Sequence, residues 1–147
     1  MRALISVVIP TPDAAPQLAA CLAALVEGLE AGLDAARAGN RACDIANALA
    51  APLERAGIER GARCGYPIGL SYPPDWGERT ISLRPEDETV LEAGMTFHFM
   101  PGLWMKDWGL EITESSLIRE SGPAETLCHR PRQLFLTTAT SLCPQRF

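Results

Sequence analysis

The sequence predicts an α+β fold in which two helices precede an antiparallel pair of strands. Apolar residues recur at three- and four-residue steps from Ala15 to about Arg37, which is the spacing of an amphipathic helix. A second helical pattern runs from Ile45 to Ala56. Two strand-like segments follow, residues 95–105 and 110–119, with a Lys-Asp-Trp-Gly turn between them. The shortness of that turn favours antiparallel pairing.

The N-terminal residues predict a strand that leads into the first helix. The run Leu4 to Ile9 is apolar and β-branched, and it is closed by a Pro-Thr-Pro turn, as expected for a buried strand. The first helix is predicted to end at Gly39-Asn40, because glycine tolerates the left-handed conformation that follows many helices.

The second helix contains a proline, and the segment after it is rich in turn-forming residues. Pro52 removes one backbone donor, so that either the helix kinks there or a new helix begins, and the pattern stops at Gly57. Residues 65–77 are rich in Gly, Pro and aromatic side chains, which predicts an ordered loop. A last short strand is expected at residues 125–127.

Composition restricts the class of partner and the compartment. The chain has 147 residues and a formal net charge of −5, which argues against duplex nucleic acid or an anionic membrane as a partner. No apolar run is long enough to span a bilayer, and the first residues do not resemble a secretion signal. We therefore expect a cytoplasmic protein.

The five cysteines form no metal or disulfide pattern, since none lies in a CxxC pair or near a histidine at zinc-finger spacing. They are interpreted as reduced, mostly buried thiols. Cys64 is either a nucleophile or a buried structural thiol, and the sequence favours the second because no His lies near it.

The first 27 residues carry a resemblance of their own. The pattern Ile-Ser-Val-Val-Ile-Pro-Thr at residues 5–11 resembles the start of inverting family 2 glycosyltransferases. In that family the strand leads to a nucleotide-sugar site. The Asp-x-Asp motif that would hold a metal and a diphosphate is absent from the sequence, so a glycosyltransferase fragment is the most distant alternative.

Residues 28–136 carry a longer resemblance, in three ordered motifs. These are Gly-Tyr-Pro-Ile-Gly-Leu-Ser-Tyr-Pro-Pro-Asp-Trp-Gly-Glu-Arg at 65–79, Leu-Glu-Ala-Gly-Met-Thr-Phe-His-Phe-Met-Pro-Gly at 91–102 and Trp-Gly-Leu-Glu-Ile-Thr-Glu at 108–114. They resemble the C-terminal half of the pita-bread superfamily, which includes methionine aminopeptidases, Xaa-Pro peptidases and creatinase, and they are most similar to its ectoine hydrolases. The resemblance implies half of a pita-bread domain with a curved antiparallel sheet, followed by a tail at 137–147.

The metal ligands of the peptidases are replaced in this chain. Tyr66 and Pro73 stand where the peptidases carry histidines, and Met100 and Thr113 stand where they carry metal-binding glutamates. A thioether and a hydroxyl do not replace carboxylates as ligands of a hard divalent cation. We therefore expect no metal and no other cofactor, in keeping with the resemblance to metal-independent members.

Strand alternation selects two candidate catalytic residues, because side chains two apart share a face. His98 shares the face of Met100, and Glu111 shares that of Thr113. A His and a carboxylate facing one cavity form an acid/base pair suited to hydrolysis of a C–N bond. Alternatively, His98 is a hydrogen-bonded structural residue and the glutamates are solvated. Glu114 falls on the opposite face from Glu111 and is the less favoured candidate.

The Pro-rich loop supplies candidate substrate-binding residues. Its aromatic side chains suit an ectoine-like amidinium ring, and an arginine suits the substrate carboxylate. The alternative is that the aromatic residues only pack the loop onto the sheet. Trp104 and Trp108 flank the hairpin turn, and we expect them to be packing residues rather than ligands. The candidates are Tyr66, Tyr72, Trp76, Glu78 and Arg79.

The resemblance implies hydrolytic ring opening of a cyclic amidine to an N-acetyl-diamino acid, acting on an ectoine-like small molecule. Half of the superfamily's site lies outside the matching residues, so the sequence leaves open whether the chain is part of an active enzyme. We expect no activity from the chain alone. A half sheet exposes an apolar face and a strand edge, which predicts a homodimer or association with a full-length relative. A non-catalytic binding or regulatory fragment is therefore the main alternative, and the strand at residues 4–9 is expected to fill part of the edge.

Overall fold

Two helices are followed by two small antiparallel sheets in the computed structural model, which describes residues 5–8, 15–59, 61, 63–70, 79–105 and 108–133. The elements in chain order are β1 (Ile5–Val8), α1 (Ala15–Ala35), α2 (Ala42–Arg55), β2 (Gly65–Pro67), β3 (Thr96–Phe99), β4 (Gly102–Trp104), β5 (Gly109–Ile112), β6 (Glu114–Leu117) and β7 (Glu125–Thr126).

Both predicted helices form; α2 ends at Arg55, two residues before Gly57, whereas α1 ends at Ala35, four residues before the glycine expected to end it. Gly39 has a φ of +92° and Gly57 a φ of +71°, a region that few other residues adopt. The side-chain amide of Asn40 donates a hydrogen bond to the carbonyl of Ala35 at 2.8 Å and so satisfies the last turn of α1. Pro52 lies inside α2 without ending it, so the second pattern is one helix.

The helices pack closely because α1 presents glycine where it meets α2. A Cβ atom on Gly28 would lie 2.6 Å from the carbonyl oxygen of Leu49, whereas a Cβ on Gly32 would meet neighbours at ordinary distances of 3.5–3.6 Å. Around this contact the helices bury their apolar faces completely or nearly so. The largest buried side chains there are Leu25, Leu29, Ile45, Leu49 and Leu53.

The two predicted strands pair antiparallel in one unbroken register. The opposed residues run from Thr96 with Leu117, through Phe99 with Glu114 and Gly102 with Glu111, to Trp104 with Gly109. Each predicted strand is nevertheless divided in two, near Pro101 and at Thr113. Pro101 has no N–H for the ladder and only accepts a hydrogen bond, from Ile112 at 3.1 Å.

The divided hairpin belongs to two sheets, of strand order β1-β5-β4 and β2-β3-β6-β7. As expected, the N-terminal strand covers an edge, since Ile5 pairs with Ile112 in β1 and β5. The final strand forms at Glu125–Thr126. The expectation of a loop from residue 65 was wrong at its start, because Gly65–Pro67 is a strand. Gly65 permits this, as a Cβ there would lie 2.5 Å from the His98 carbonyl oxygen.

One face of the hairpin forms the core with the helices. Phe97, Phe99 and Leu110 are completely buried, and Leu103 and Ile112 nearly so. The alternate residues face away from that core. Neither helix in the described ranges combines the length and hydropathy needed to cross a membrane.

Candidate functional site

The hairpin face that points away from the helices carries the candidate residues, and we call it the site face. Opposed residues in an antiparallel pair point to the same side, and three cross-strand rows of this face carry the candidate residues and the positions between them. One row is Tyr66, His98 and Ser115, the next is Met100 and Thr113, and the third is Gly102 and Glu111.

His98 has the environment expected of a proton acceptor. It is half-buried, its ring centroid lies 5.4 Å from that of Tyr66, and its Nδ1 is buried without a hydrogen-bond partner among the described residues. Burial lowers the pKa of His98, and the charge of Glu114 partly opposes this effect. A neutral imidazole with an unpaired nitrogen can accept a proton at pH 7.

Glu111 lies on the site face, as alternation predicted, and is half-buried. It opposes Gly102, whereas His98 opposes Ser115, so that four residues of strand separate their positions. At a rise of roughly 3.3 Å per residue this offset is about 13 Å. The two side chains therefore do not form a direct acid/base pair, and a ligand must lie between them to meet both.

Glu114 lies on the opposite face, also as alternation predicted, but it is not a solvated charge. Its side chain is only 2% exposed, and Arg132 lies 3.2 Å from its Oε2. Arg132 also approaches Glu30 of α1 at 3.5 Å. No local spacing indicates this bridge, because its members are far apart in the chain.

The loop candidates are only partly described. Tyr66 belongs to β2 and contacts His98, and Arg79 is exposed. Tyr72, Trp76 and Glu78 lie outside the described residues.

Cys64 is 1% exposed, and its thiol donates to the carbonyl of Leu83 at 3.2 Å. This environment matches the buried structural thiol rather than the nucleophile.

The two tryptophans near the hairpin turn differ in their surroundings. Trp108 packs against the core as expected, but Trp104 is 71% exposed and lies on the site face. The Trp104 indole nevertheless packs on its cross-strand partner Gly109, since a Cβ there would lie 2.8 Å from the indole Cε3.

The sequence model of metallopeptidase family M24 matches residues 3–120. The chain belongs to this family. It is 72% identical over 102 residues to the ectoine hydrolase of Halomonas elongata, a match covering 69% of this chain and 25% of that protein. It is also 50% identical over 78 residues to an uncharacterised hydrolase/peptidase of Sinorhizobium fredii, covering 53% of this chain and 20% of the relative.

Solved structures place the fold among pita-bread peptidases, as the resemblance implied. Dipeptidase PepE from Mycobacterium ulcerans shares 30% identity at a TM-score of 0.71, over 85% of this chain and 32% of that one. The X-Pro aminopeptidase of Thermotoga maritima shares 22% identity at a TM-score of 0.73, over 82% of this chain and 34% of that one. The chain spans about a quarter of the curated relatives it matches.

The family name implies a metal, but the described residues do not fit one. No group of three or more His, Cys, Asp or Glu side chains within the described ranges is placed to hold a metal ion. The site-face row between His98 and Glu111 offers a thioether from Met100 and a hydroxyl from Thr113. Hard divalent cations prefer carboxylate and water oxygens over these donors.

Proposed function

We propose that this chain is part of a hydrolase that opens the ring of ectoine or a related cyclic amidine without a resident metal. The 72% identity to an ectoine hydrolase over 102 residues carries the proposal. The residue types at two positions support it, since Met100 and Thr113 stand where the peptidases carry metal-binding glutamates.

His98 is the proposed base of this reaction. Its depressed pKa keeps the imidazole neutral near pH 7, and the half-buried ring can take a proton from the attacking water. The water oxygen bonds to the amidine carbon, one ring C–N bond breaks, and the departing nitrogen receives a proton. The products are an amide and an amine in one chain, which is an N-acetyl-diamino acid when the substrate is ectoine.

The substrate is proposed to lie over the row formed by Met100 and Thr113, between His98 and Glu111. From there the substrate meets the His98 imidazole at one end and the Glu111 carboxylate at the other. The separation between these two residues leaves room for the substrate, which a direct contact between them would not. Glu111 then holds or protonates the nitrogen end. Arg79, with Tyr72, Trp76 and Glu78, remains a candidate for the rest of the ligand.

We further propose that these 147 residues do not turn over substrate alone, because the site face forms one wall only. A non-catalytic fragment that pairs with an intact relative or a second copy is the alternative function. The exposed apolar side chains favour that alternative, with Leu70 99% and Leu127 46% exposed. A cytoplasmic location belongs to the same proposal.

The test is reconstitution with the complementary part of the Halomonas elongata enzyme. The purified chain, the complementary part and their mixture are incubated with ectoine, and the N-acetyl-diamino acid is followed by NMR. We expect product from the mixture only, and none when the chain carries His98→Gln. The matched positive control is the relative's own C-terminal part.

Turnover by the chain alone would contradict the proposed inactivity. A mixture that stays inactive, while the relative's own two parts reconstitute, would contradict the proposed substrate. Binding of the intact relative without turnover would favour the regulatory alternative.

A further inference from the structure

The aromatic ring of Tyr66 lies beside the proposed base. Tyr66 opposes His98 in the register of β2 and β3, so both side chains leave the sheet on the site face. Their ring centroids lie 5.4 Å apart, and the ring planes are tilted by 46°. Both residues are half-buried. The phenol and the imidazole therefore line the same part of the site face.

A second contact holds the Tyr66 ring in place. The guanidinium of Arg63 lies 5.0 Å from the ring centroid, which is within the range of a cation–π attraction. Both contacts use the ring rather than the hydroxyl. Because side chains in a strand stand roughly perpendicular to the sheet, the hydroxyl at the end of the ring lies on the side where a ligand over His98 would lie. A phenol hydroxyl there can donate a hydrogen bond to the ligand.

Ring opening requires a proton donor close to the base. The nitrogen that departs is bonded to the same carbon that the water attacks, so the donor must reach an atom only two bonds from the water oxygen. Glu111 stands four residues of strand from His98, a separation of about 13 Å. Tyr66 opposes His98 directly. Position therefore favours the phenol over the Glu111 carboxylate as the donor.

We propose that Tyr66 is the acid of the ring-opening reaction and donates its hydroxyl proton to the departing nitrogen. This inference rests on the proposed function and deepens it. His98 takes a proton from the water as the water oxygen bonds to the amidinium carbon. The C–N bond then breaks with its electron pair on the nitrogen, which receives the Tyr66 proton. The phenolate recovers a proton from the imidazolium, and the extra proton of the new amide passes to the amine, so that both side chains are restored.

The experiment compares Tyr66→Phe with the unaltered chain, each mixed with the complementary part of the Halomonas elongata enzyme. This change keeps the ring that contacts Arg63 and His98 and removes only the hydroxyl. Hydrolysis of ectoine is followed by NMR over a range of substrate concentrations. We expect kcat to fall about a hundred-fold while KM stays within about two-fold of its unaltered value, because the proton is transferred only in the transition state.

Two controls separate a proton donor from a structural residue. Thr126→Val removes a hydroxyl from the same sheet, at a position that opposes Ser116, whose other partner Phe97 belongs to the core face. It should leave kcat unchanged. In the chain alone, Tyr66→Phe should keep the urea midpoint of unfolding and the imidazole NMR shifts of His98, which are identified by their absence from the spectrum of His98→Gln.

An active mixture whose kcat is unchanged by Tyr66→Phe would overturn the proposal and leave the proposed function standing. So would a rise in KM without a loss of kcat, because Tyr66 would then be a binding residue. A loss of kcat accompanied by a shifted imidazole signal or a lower urea midpoint would also overturn it, since the loss would then have a structural cause. An inactive mixture of the unaltered chain, while the relative's own two parts reconstitute, would remove this proposal and the proposed function together.

Discussion

The contact between the two helices predicts opposite effects for the same substitution at two glycines of α1. Alanine is favoured over glycine inside a helix by about 0.8–1 kcal/mol. At Gly28 this gain meets a Cβ position 2.6 Å from the Leu49 carbonyl oxygen, a backbone atom that cannot rotate away. Overpacking of this kind costs about 1–3 kcal/mol, so that Gly28→Ala should destabilise the chain by about 1 kcal/mol net.

Gly32 is the matched control, one helical turn further on. A Cβ there meets Leu49, Phe99 and Ile45 side-chain atoms at 3.5–3.6 Å, which is ordinary contact. Gly32→Ala should therefore stabilise the chain by about 1 kcal/mol. Urea unfolding followed by circular dichroism at 222 nm measures both free energies of unfolding. A Gly28→Ala chain with the same free energy of unfolding as the Gly32→Ala chain would refute the close approach of the helices.

Three further predictions concern charge and metal. Burial depresses the pKa of His98, so the unfolded chain binds the proton more readily than the folded chain, and stability present above about pH 6.5 is lost as the pH falls toward the folded-state pKa. The urea midpoint of the unaltered chain should therefore decrease more between pH 7.5 and pH 5.5 than the midpoint of His98→Gln does. Arg132→Gln should destabilise the chain by about 2 kcal/mol in the same urea titration, because it leaves the buried carboxylate of Glu114 without its arginine. Glu30→Gln is the control, and it should cost about 0–1 kcal/mol because the Glu30 carboxylate is 61% exposed. Zinc, manganese or cobalt should give no stoichiometric binding by calorimetry, and a tight one-to-one isotherm would contradict our interpretation of the donor residues.

The sequence predicted the elements and the faces of this fold well, because both follow from local periodicity. The three- and four-residue spacing predicted both helices, and Gly57 marked the end of α2, although α1 ends at Ala35, four residues before Gly39. Alternation placed Glu111 and Glu114 on opposite faces, as they are found. These properties depend on neighbours within a few residues, which a sequence displays directly.

Long-range contacts escaped the same reasoning. The strand Gly65–Pro67 forms because a second strand approaches Gly65, and composition alone indicated a loop. The burial of Glu114 depends on Arg132, 18 residues away, and the exposure of Trp104 depends on a glycine across the hairpin. Each outcome is decided by a partner that local patterns do not identify.

The same alternation explains how a metallopeptidase fold can accommodate different donors at its site. Phe97, Phe99 and Ile112 hold the hairpin against the helices with one set of side chains. Met100 and Thr113 belong to the other set, where side chains contribute little to that core. Substitution on the site face can thus change the available chemistry while the core side chains continue to fix the register. A family likeness in fold therefore carries over to this chain more securely than a likeness in mechanism, and the residues of the site face must be argued one by one.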